Sequence, residues 1–401
     1  MTAPTRRPSA LIAAVALALL LGLQPVTTDL YLPALPAIQA ELHASMHATQ
    51  LTMAALLLAF GFGQLVAGPV ADRFGRRPVL LSTLSVYVVA SLGAVLATTI
   101  EALILVRIVQ GAVMAGVVVV ARAMVRDLYE PHEGARIMSL GLSGLGVIAI
   151  TSPLLGGWLA GHLSWHMAFA AAGVIALATL VFVATQLPET LPQKNPQALH
   201  PGPLLASWRT VLRHPTFLAW AGLSAATYGG LFVFLAGSSF VYMQVLGLSA
   251  AQYGLALSTS SVSYLAGTFV CRRWLVRHGM TGAVRRAAWF TLVGGLSMAA
   301  LAAAGVQTVW AILVPQLFFA FGHGTHQACG QTGAVGPFPQ QAGVAAALAG
   351  FVLAVVAFCI GQWLGVALDG TTRPLAYGIA VASGVTALIA WTTVQRHGGE
   401  H

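Results

Sequence analysis

The sequence predicts an all-α membrane protein of twelve transmembrane helices in two six-helix halves, and three observations predict it. Of its 401 residues, 58% are apolar and 7% carry charge, too few charges to clothe an aqueous surface. Apolar stretches of about 20 residues, the length that crosses a bilayer as a helix, follow one another along the chain. The basic residues, which give a net charge of +9, gather in alternate joints between those stretches, as positive charge retained on the cytoplasmic side would leave them.

The first span is expected over 10–36, preceded by Arg6 and Arg7. Two arginines followed by LIAAVALALLLGL imitate a secretory signal. The stretch has no convincing small-residue cleavage site and runs directly into TTDLYLPALP, so it reads as a retained helix. Spans at 48–69 and 78–98 flank a joint bearing Arg73, Arg76 and Arg77, and spans at 101–124 and 137–161 flank one bearing Arg126 and Arg136. A sixth span, 165–187, closes the N-terminal half, residues 1–187. Residues 188–214, with PETLPQKNPQ, PGP, Lys194, Arg209 and Arg213, are too polar and proline-rich for lipid and form the cytoplasmic linker.

The C-terminal half, 215–401, supplies spans at 215–242, 250–271, 285–305, 308–330, 342–368 and 373–394. Arg272, Arg273, Arg277, Arg285 and Arg286 follow its second span and Arg396 its last, whereas the intervening joints hold almost no basic residue except Arg373. This placement predicts a multi-pass protein of the bacterial inner membrane with both termini cytoplasmic, and it removes the argument for a nucleic-acid partner. A weak repeat at an offset of 204 residues aligns Arg73 and Gly75 with Arg277 and Gly279, although Asp72 meets Val276. Cys271, Cys329 and Cys359 show no C-x-x-C spacing and read as small core residues. Many of the 43 glycines fall inside spans, where small residues let helices approach closely.

GPVADRFGRRPVL, Gly68 to Leu80, joins the second and third spans. Gly68 permits close approach, Asp72 can cap a helix or pair with an arginine, and Gly75 makes the turn. Arg73, Arg76 and Arg77 hold the loop at the anionic cytoplasmic face. With this loop the sequence resembles the major facilitator superfamily, whose signature is G-x-L-A-D-R-x-G-R-R-x-x-L; Val70 replaces the usual Leu. The resemblance implies a conformational latch at Gly68, Asp72, Arg73, Gly75, Arg76 and Arg77 that helps to hold the outward-open state.

TDLYLPALPAIQAEL, at the outer end of the first span, is similar to the entry helix of Bcr/CflA-type exporters, the group with chloramphenicol and bicyclomycin pumps. Asp29 is the one acidic residue expected inside a span rather than at its edge. An ionisable group there costs about 2.5–3.5 kcal/mol on insertion scales and marks a functional site by default. Desolvation penalises the carboxylate, which fits Asp29 to take up and release a proton. The plainer alternative is an interfacial Asp capping a helix end broken near Pro33 and Pro36. In RIVQGAVMAG, Arg107 lies inside the fourth span and matches the superfamily's motif there, which implies a part in proton coupling. A cation near Asp29 would favour its carboxylate; the alternative is an arginine snorkelling to the interface.

GVIAITSPLLGGWL in the fifth span is close to the antiporter pattern G-x-x-x-G-P-x-x-G-G. Pro153, Gly156 and Gly157 match, whereas Ser152 and Ile148 stand where the pattern has glycine. FPQQAGVAAALAGF, from Phe338, also resembles the Bcr/CflA group. His323, His326 and Cys329 stand three residues apart on one helical face, but no carboxylate accompanies them, so they read as a polar cavity stripe or interhelical hydrogen bonds and no metal is expected.

The reading is a monomeric drug:proton antiporter exporting small, largely apolar drugs, with the proton as coupling ion and no other cofactor. Its cavity, between the halves near the midplane, has Gln24, Tyr31, Gln110, Tyr228, Phe232, His323 and Phe351 as candidate lining. A transporter of a native metabolite, such as a siderophore, sugar or amino acid, is the alternative. An enzyme would need a nucleophile, metal or acid–base pair, for which HGTHQAC is an incomplete candidate, and a sensor would need an output domain outside the membrane.

Overall fold

The computed structural model describes residues 8–399, so Arg6 and Arg7 lie outside the described residues. Six membrane-length helices make up the first half: α1 (Ala10–Thr28), α2 (Met46–Phe74), α3 (Arg76–Val95), α4 (Ile100–Leu128), α5 (Pro131–His162) and α6 (Trp165–Gln186). The second half holds α7 (Pro215–Phe240), α8 (250–278), α9 (280–303), α10 (Val309–Val335), α11 (Ala342–Ala367) and α12 (Arg373–Trp391). A helix of the linker, Pro201–Leu212, precedes α7.

Local chemistry sets the boundaries. Ser45, Thr99 and Thr308 each accept the backbone N–H three residues on and so start α2, α4 and α10. Ser249 and Gln252 form a reciprocal capping box at the start of α8. α1 ends earlier than its apolar run, at Thr28. A 3-10 turn at Leu32–Ala34 and a short helix at Leu35–Glu41 continue it, with Pro33 and Pro36 at their first turns. Ala250–Ala303 is one run of helical hydrogen bonds, yet Gly279 at φ 66° and ψ −177° bends it into two crossings. Gly75, between α2 and α3, likewise has positive φ at 110°. Both joints need glycine because a Cβ is strained there, which gives the weak sequence repeat a backbone counterpart.

Ten helices of the described chain are long and apolar enough to cross a membrane. Dividing Ala250–Ala303 at Gly279 makes eleven, and α10, more polar because of Gln316, His323, His326 and Gln327, makes the twelfth.

Within the first half α1 packs on α5, α2 on α4 and α3 on α6; α7 on α11, α8 on α10 and α9 on α12 repeat this in the second half. Two seams join the halves, α2 with α11 and α5 with α8. At the end opposite the arginine-bearing joints the two halves are hydrogen-bonded to each other. Gln50 Nε2 donates to the Ala236 carbonyl at 2.8 Å, and Gln244 Nε2 to Gln39 Oε1 at 3.3 Å. The α5–α8 seam persists to Gly146 against Leu265. Nearer the basic end the same helical faces carry Ser139, Leu142, Ser143, Phe269 and Arg272, all exposed, so α5 and α8 part there.

Candidate functional site: a polar break in α1 between the halves

Asp29 lies where α1 loses its helix, and its carboxylate accepts one side-chain hydrogen bond, from Thr28 Oγ1 at 2.8 Å. It is half-buried. Tyr228 of α7 and Tyr253 of α8 lie within its electrostatic reach, so the side chain looks toward the second half. The chain beyond it closes the far end: Tyr31, Leu32, Leu35 and Ile38 are all buried.

Arg107 is buried inside the fourth span as expected, but it turns to the α1 backbone rather than to Asp29. Its side chain is 1% exposed, so it does not snorkel. It forms no ion pair with Asp29; among the described residues the ion pairs join Arg76 to Asp72 and Asp127. Instead Nη2 donates to the Thr27 carbonyl at 3.1 Å and Nη1 to Gln110 Oε1 at 3.1 Å. The guanidinium lies 4.4 Å from the Tyr31 ring centroid and 5.6 Å from that of Phe169, where ring quadrupoles offset part of the burial cost. Gln110 Nε2 passes the network to Ser91 Oγ at 3.1 Å, Thr27 Oγ1 meets Tyr87 OH at 2.6 Å, and Tyr31 OH bonds Thr52. The cation therefore braces the backbone of the α1 break from inside the first half. Thr27, Ser91 and Tyr87 of this cradle escaped the sequence reading, because nothing distinguishes a bonded hydroxyl from an ordinary one in an apolar span.

The fifth-span motif meets the same break. A Cβ on Gly156 would collide with the Leu30 carbonyl, one on Gly157 with that of Ala250, and the Pro153 carbonyl lies where a Cβ of Gly254 would be. Pro153, Gly156 and Gly157 thus let α5 touch α1 and α8 at backbone distance. Ser152, the departure from the pattern, is 3% exposed and donates to Ile148 O of its own helix at 2.7 Å, so its hydroxyl needs no partner across the seam.

Of the cavity candidates, Gln24, Tyr228 and Phe351 are half-buried, whereas Tyr31, Gln110, Phe232 and His323 are closed into helix packing. The first two serve the Arg107 cradle. His323 Nδ1 bonds Thr227 Oγ1 at 2.9 Å, and Phe351 packs edge-on against Phe62 across the α2–α11 seam with centroids 4.9 Å apart. His326 has no hydrogen-bond partner among the described residues. Cys329 lies 3.7 Å from Cys271, sulfur to sulfur, and both are buried. Cys359, expected in the core, is exposed on α11.

The loop at Gly68–Arg77 is organised by two carboxylates that the sequence reading missed. Asp127, at the end of α4, takes Arg76 Nε at 3.0 Å, while Arg76 Nη1 reaches Asp72 at 2.6 Å. Glu189, just past α6, accepts the backbone N–H groups of Arg76 at 3.0 Å and Arg77 at 3.2 Å. Arg77 donates to the Leu187 and Ala184 carbonyls, and the Asp72 carbonyl accepts Asn195 N of the linker. Gly68 faces Val119 of α4, and Arg73 stacks beside Phe74. These contacts stay within the first half and the linker. The available signal was an isolated acid in PET at the end of the sixth span.

Known proteins place this architecture. Residues 17–362 match the family model described as Major Facilitator Superfamily. Multidrug resistance protein D of Escherichia coli is 31% identical over 83% of each chain. A bicyclomycin resistance protein homolog of Haemophilus influenzae is 25% identical over 95% of this chain and 96% of its own. The solved xylose transporter XylE from E. coli, in a partially occluded inward open conformation, superposes with a TM-score of 0.76 at 14% identity, covering 95% of this chain and 97% of that one. By the matched span, the paired six-helix halves and the loop at Gly68–Arg77, this multi-pass membrane protein belongs to the Major Facilitator Superfamily.

Proposed function

We propose that the protein exports small, largely apolar drugs across the bacterial inner membrane in exchange for protons, as a monomer with both termini in the cytoplasm. The observation that carries this reading is Asp29: a half-buried carboxyl at the break of α1, facing the second half, with one hydroxyl donor and no paired cation among the described residues. Such a group exchanges a proton at modest cost because no salt bridge has to be broken. The resistance proteins named above support a drug as cargo, and half-buried Tyr228 and Phe351 offer rings rather than charges to it.

With the arginine-bearing joints in the cytoplasm, the far-end contacts seal the outside and the parted α5–α8 faces open inward. A drug enters from the cytoplasm or inner leaflet while Asp29 is ionised. After the halves rock, a proton from outside neutralises Asp29 and the drug leaves; return to the inward-facing state releases the proton. Each net inward charge contributes about 2.3 kcal/mol per 100 mV of membrane potential. Arg107 acts in this scheme as a positioning residue, since it holds the Thr27 carbonyl and not the carboxylate.

Everted vesicles containing the protein, energised and offered a panel of drugs, test the proposal. ATP-driven accumulation that an uncoupler abolishes is expected for several apolar compounds. Transport of none of them, alongside uptake or release of a polar metabolite, would replace drug export with metabolite transport.

A further inference from the structure

The two halves treat their arginines differently at the basic end. In the first half Arg76 is neutralised by Asp72 and Asp127, and Arg77 is spent on two carbonyls. In the second half, among the described residues from 215 onward, the only carboxylate is Asp369, in the joint at the opposite end. Among the described residues of that half, Arg272, Arg273, Arg277, Arg285, Arg286 and Arg396 therefore share one face with no acid beside them. Arg272 lies over the Phe269 ring and Arg286 bonds the Gly282 carbonyl. The Arg285 guanidinium has no partner among the described residues.

Arg285 also lines a cavity of about 420 Å³ between the basic ends of α9 and α12, together with Trp289, Trp391 and Gln395. Its floor is fixed. Trp391 Nε1 donates to the Arg285 carbonyl at 3.0 Å, and Gln395 Nε2 to the Thr281 and Ala390 carbonyls at 3.1 and 2.8 Å. The Trp289 and Trp391 rings meet with centroids 4.7 Å apart, and Trp289 stays 59% exposed. Indoles at the end of membrane helices belong at headgroup depth, with the ring against the first methylenes.

We infer that this cleft binds the phosphate group of an anionic phospholipid of the cytoplasmic leaflet. A guanidinium presents its N–H groups to phosphate oxygens in a planar fork, and basic pockets between helices on this side suit such headgroups. The paired indoles decide between a lipid and a soluble anion. Apolar ring faces beside the cation contribute to binding only when the phosphate carries a glycerol backbone and acyl chains.

The full chain, purified and carried into native mass spectrometry with mixed phosphatidylglycerol and phosphatidylcholine, reads the site directly. Phosphatidylglycerol should be retained preferentially. Arg285→Gln should weaken that retention about tenfold, the scale of one charge-assisted hydrogen bond. Trp289→Leu should weaken it too, and Arg277→Gln, the same charge change on the same face, should not. Arg285→Lys, which keeps the charge but not the fork, should fall between. Unchanged thermal transitions of the variants in detergent would show that the losses are local. Equal weakening by Arg285→Gln and Arg277→Gln would overturn the inference in favour of a diffuse positive surface. Displacement by inorganic phosphate as readily as by lipid would make it a soluble-anion site, and equal retention of both lipids, which share the phosphodiester but not the net charge, would overturn selection of an anionic headgroup.

Discussion

Thr27 and Asp29 stand two residues apart on α1, about 200° around the helix, and that angle separates the jobs of Arg107 and Asp29. The Thr27 side faces the first half, where its hydroxyl meets Tyr87 and its carbonyl accepts Arg107; Asp29 faces the second. The sequence made both ionisable residues visible, because each interrupts an apolar run, but not their relation, which depends on where α1 loses its helix. Asp29→Asn is expected to end uncoupler-sensitive drug accumulation in everted vesicles while leaving drug binding measurable. Full accumulation by this variant would move the proton site elsewhere. Arg107→Lys keeps the charge but cannot reach Thr27, Gln110 and two rings at once. It should cost about 1.5–3 kcal/mol, the worth of a hydrogen bond to a charged group, seen as a lower thermal transition, and transport should fall with it. Arg107 is the eighth residue of α4, and the eighth residue of α10 is Gln316, buried with both amide atoms unpartnered among the described residues. The halves share a helix plan, yet only the first carries the cation.

Between α2 and α3 the chain turns at Gly75, which begins α3 without a side-chain cap. Glu189 supplies the missing cap from the far end of the half: its carboxylate accepts the N–H groups of Arg76 and Arg77, and of its own neighbours Thr190 and Leu191 at 2.9 and 3.0 Å. A carboxylate at a helix N-terminus satisfies orphan donors and opposes the positive end of the dipole. Glu189→Ala should therefore lower stability by about 1–2 kcal/mol, as loss of a cap does, and Glu189→Gln should lose less because its amide oxygen still accepts. Differential scanning fluorimetry of the purified chain distinguishes the two; equal losses would mean that the charge alone matters. Much of this element was legible, because glycine, aspartate and arginine at these spacings have few other uses. Its anchors were not. Asp127 and Glu189 are 51 and 113 residues from Arg76, and only the packing of α3 against α4 and α6 brings them in.

For the whole molecule, the crossings followed from apolarity and arginine placement, whereas the exceptions have physical causes. α10 is polar because histidines and glutamines turn inward, and α8 and α9 share one run of hydrogen bonds bent by a single glycine. What sequence patterns do not encode is which end is shut. Transport by rocking requires the far end, held here by Gln50 with Ala236 and Gln39 with Gln244, to open once per cycle. A covalent bond across it should trap the inward-facing form. With Cys271, Cys329 and Cys359 first replaced by alanine so that no native thiol competes, Gln39→Cys and Gln244→Cys place one thiol on each half, set back from the amide tips that now meet at 3.3 Å, and a short dithiol added with the oxidant spans the remaining gap through two mixed disulfides. Oxidation should stop drug accumulation in everted vesicles while the cytoplasm-facing cleft still admits drug, and a reductant should restore transport. Either cysteine alone should transport in both conditions. If the oxidised pair, shown to be cross-linked by its changed gel mobility, exported drug at the reduced rate, the far end would not be a gate, and the passage would have to lie outside the seam between the halves.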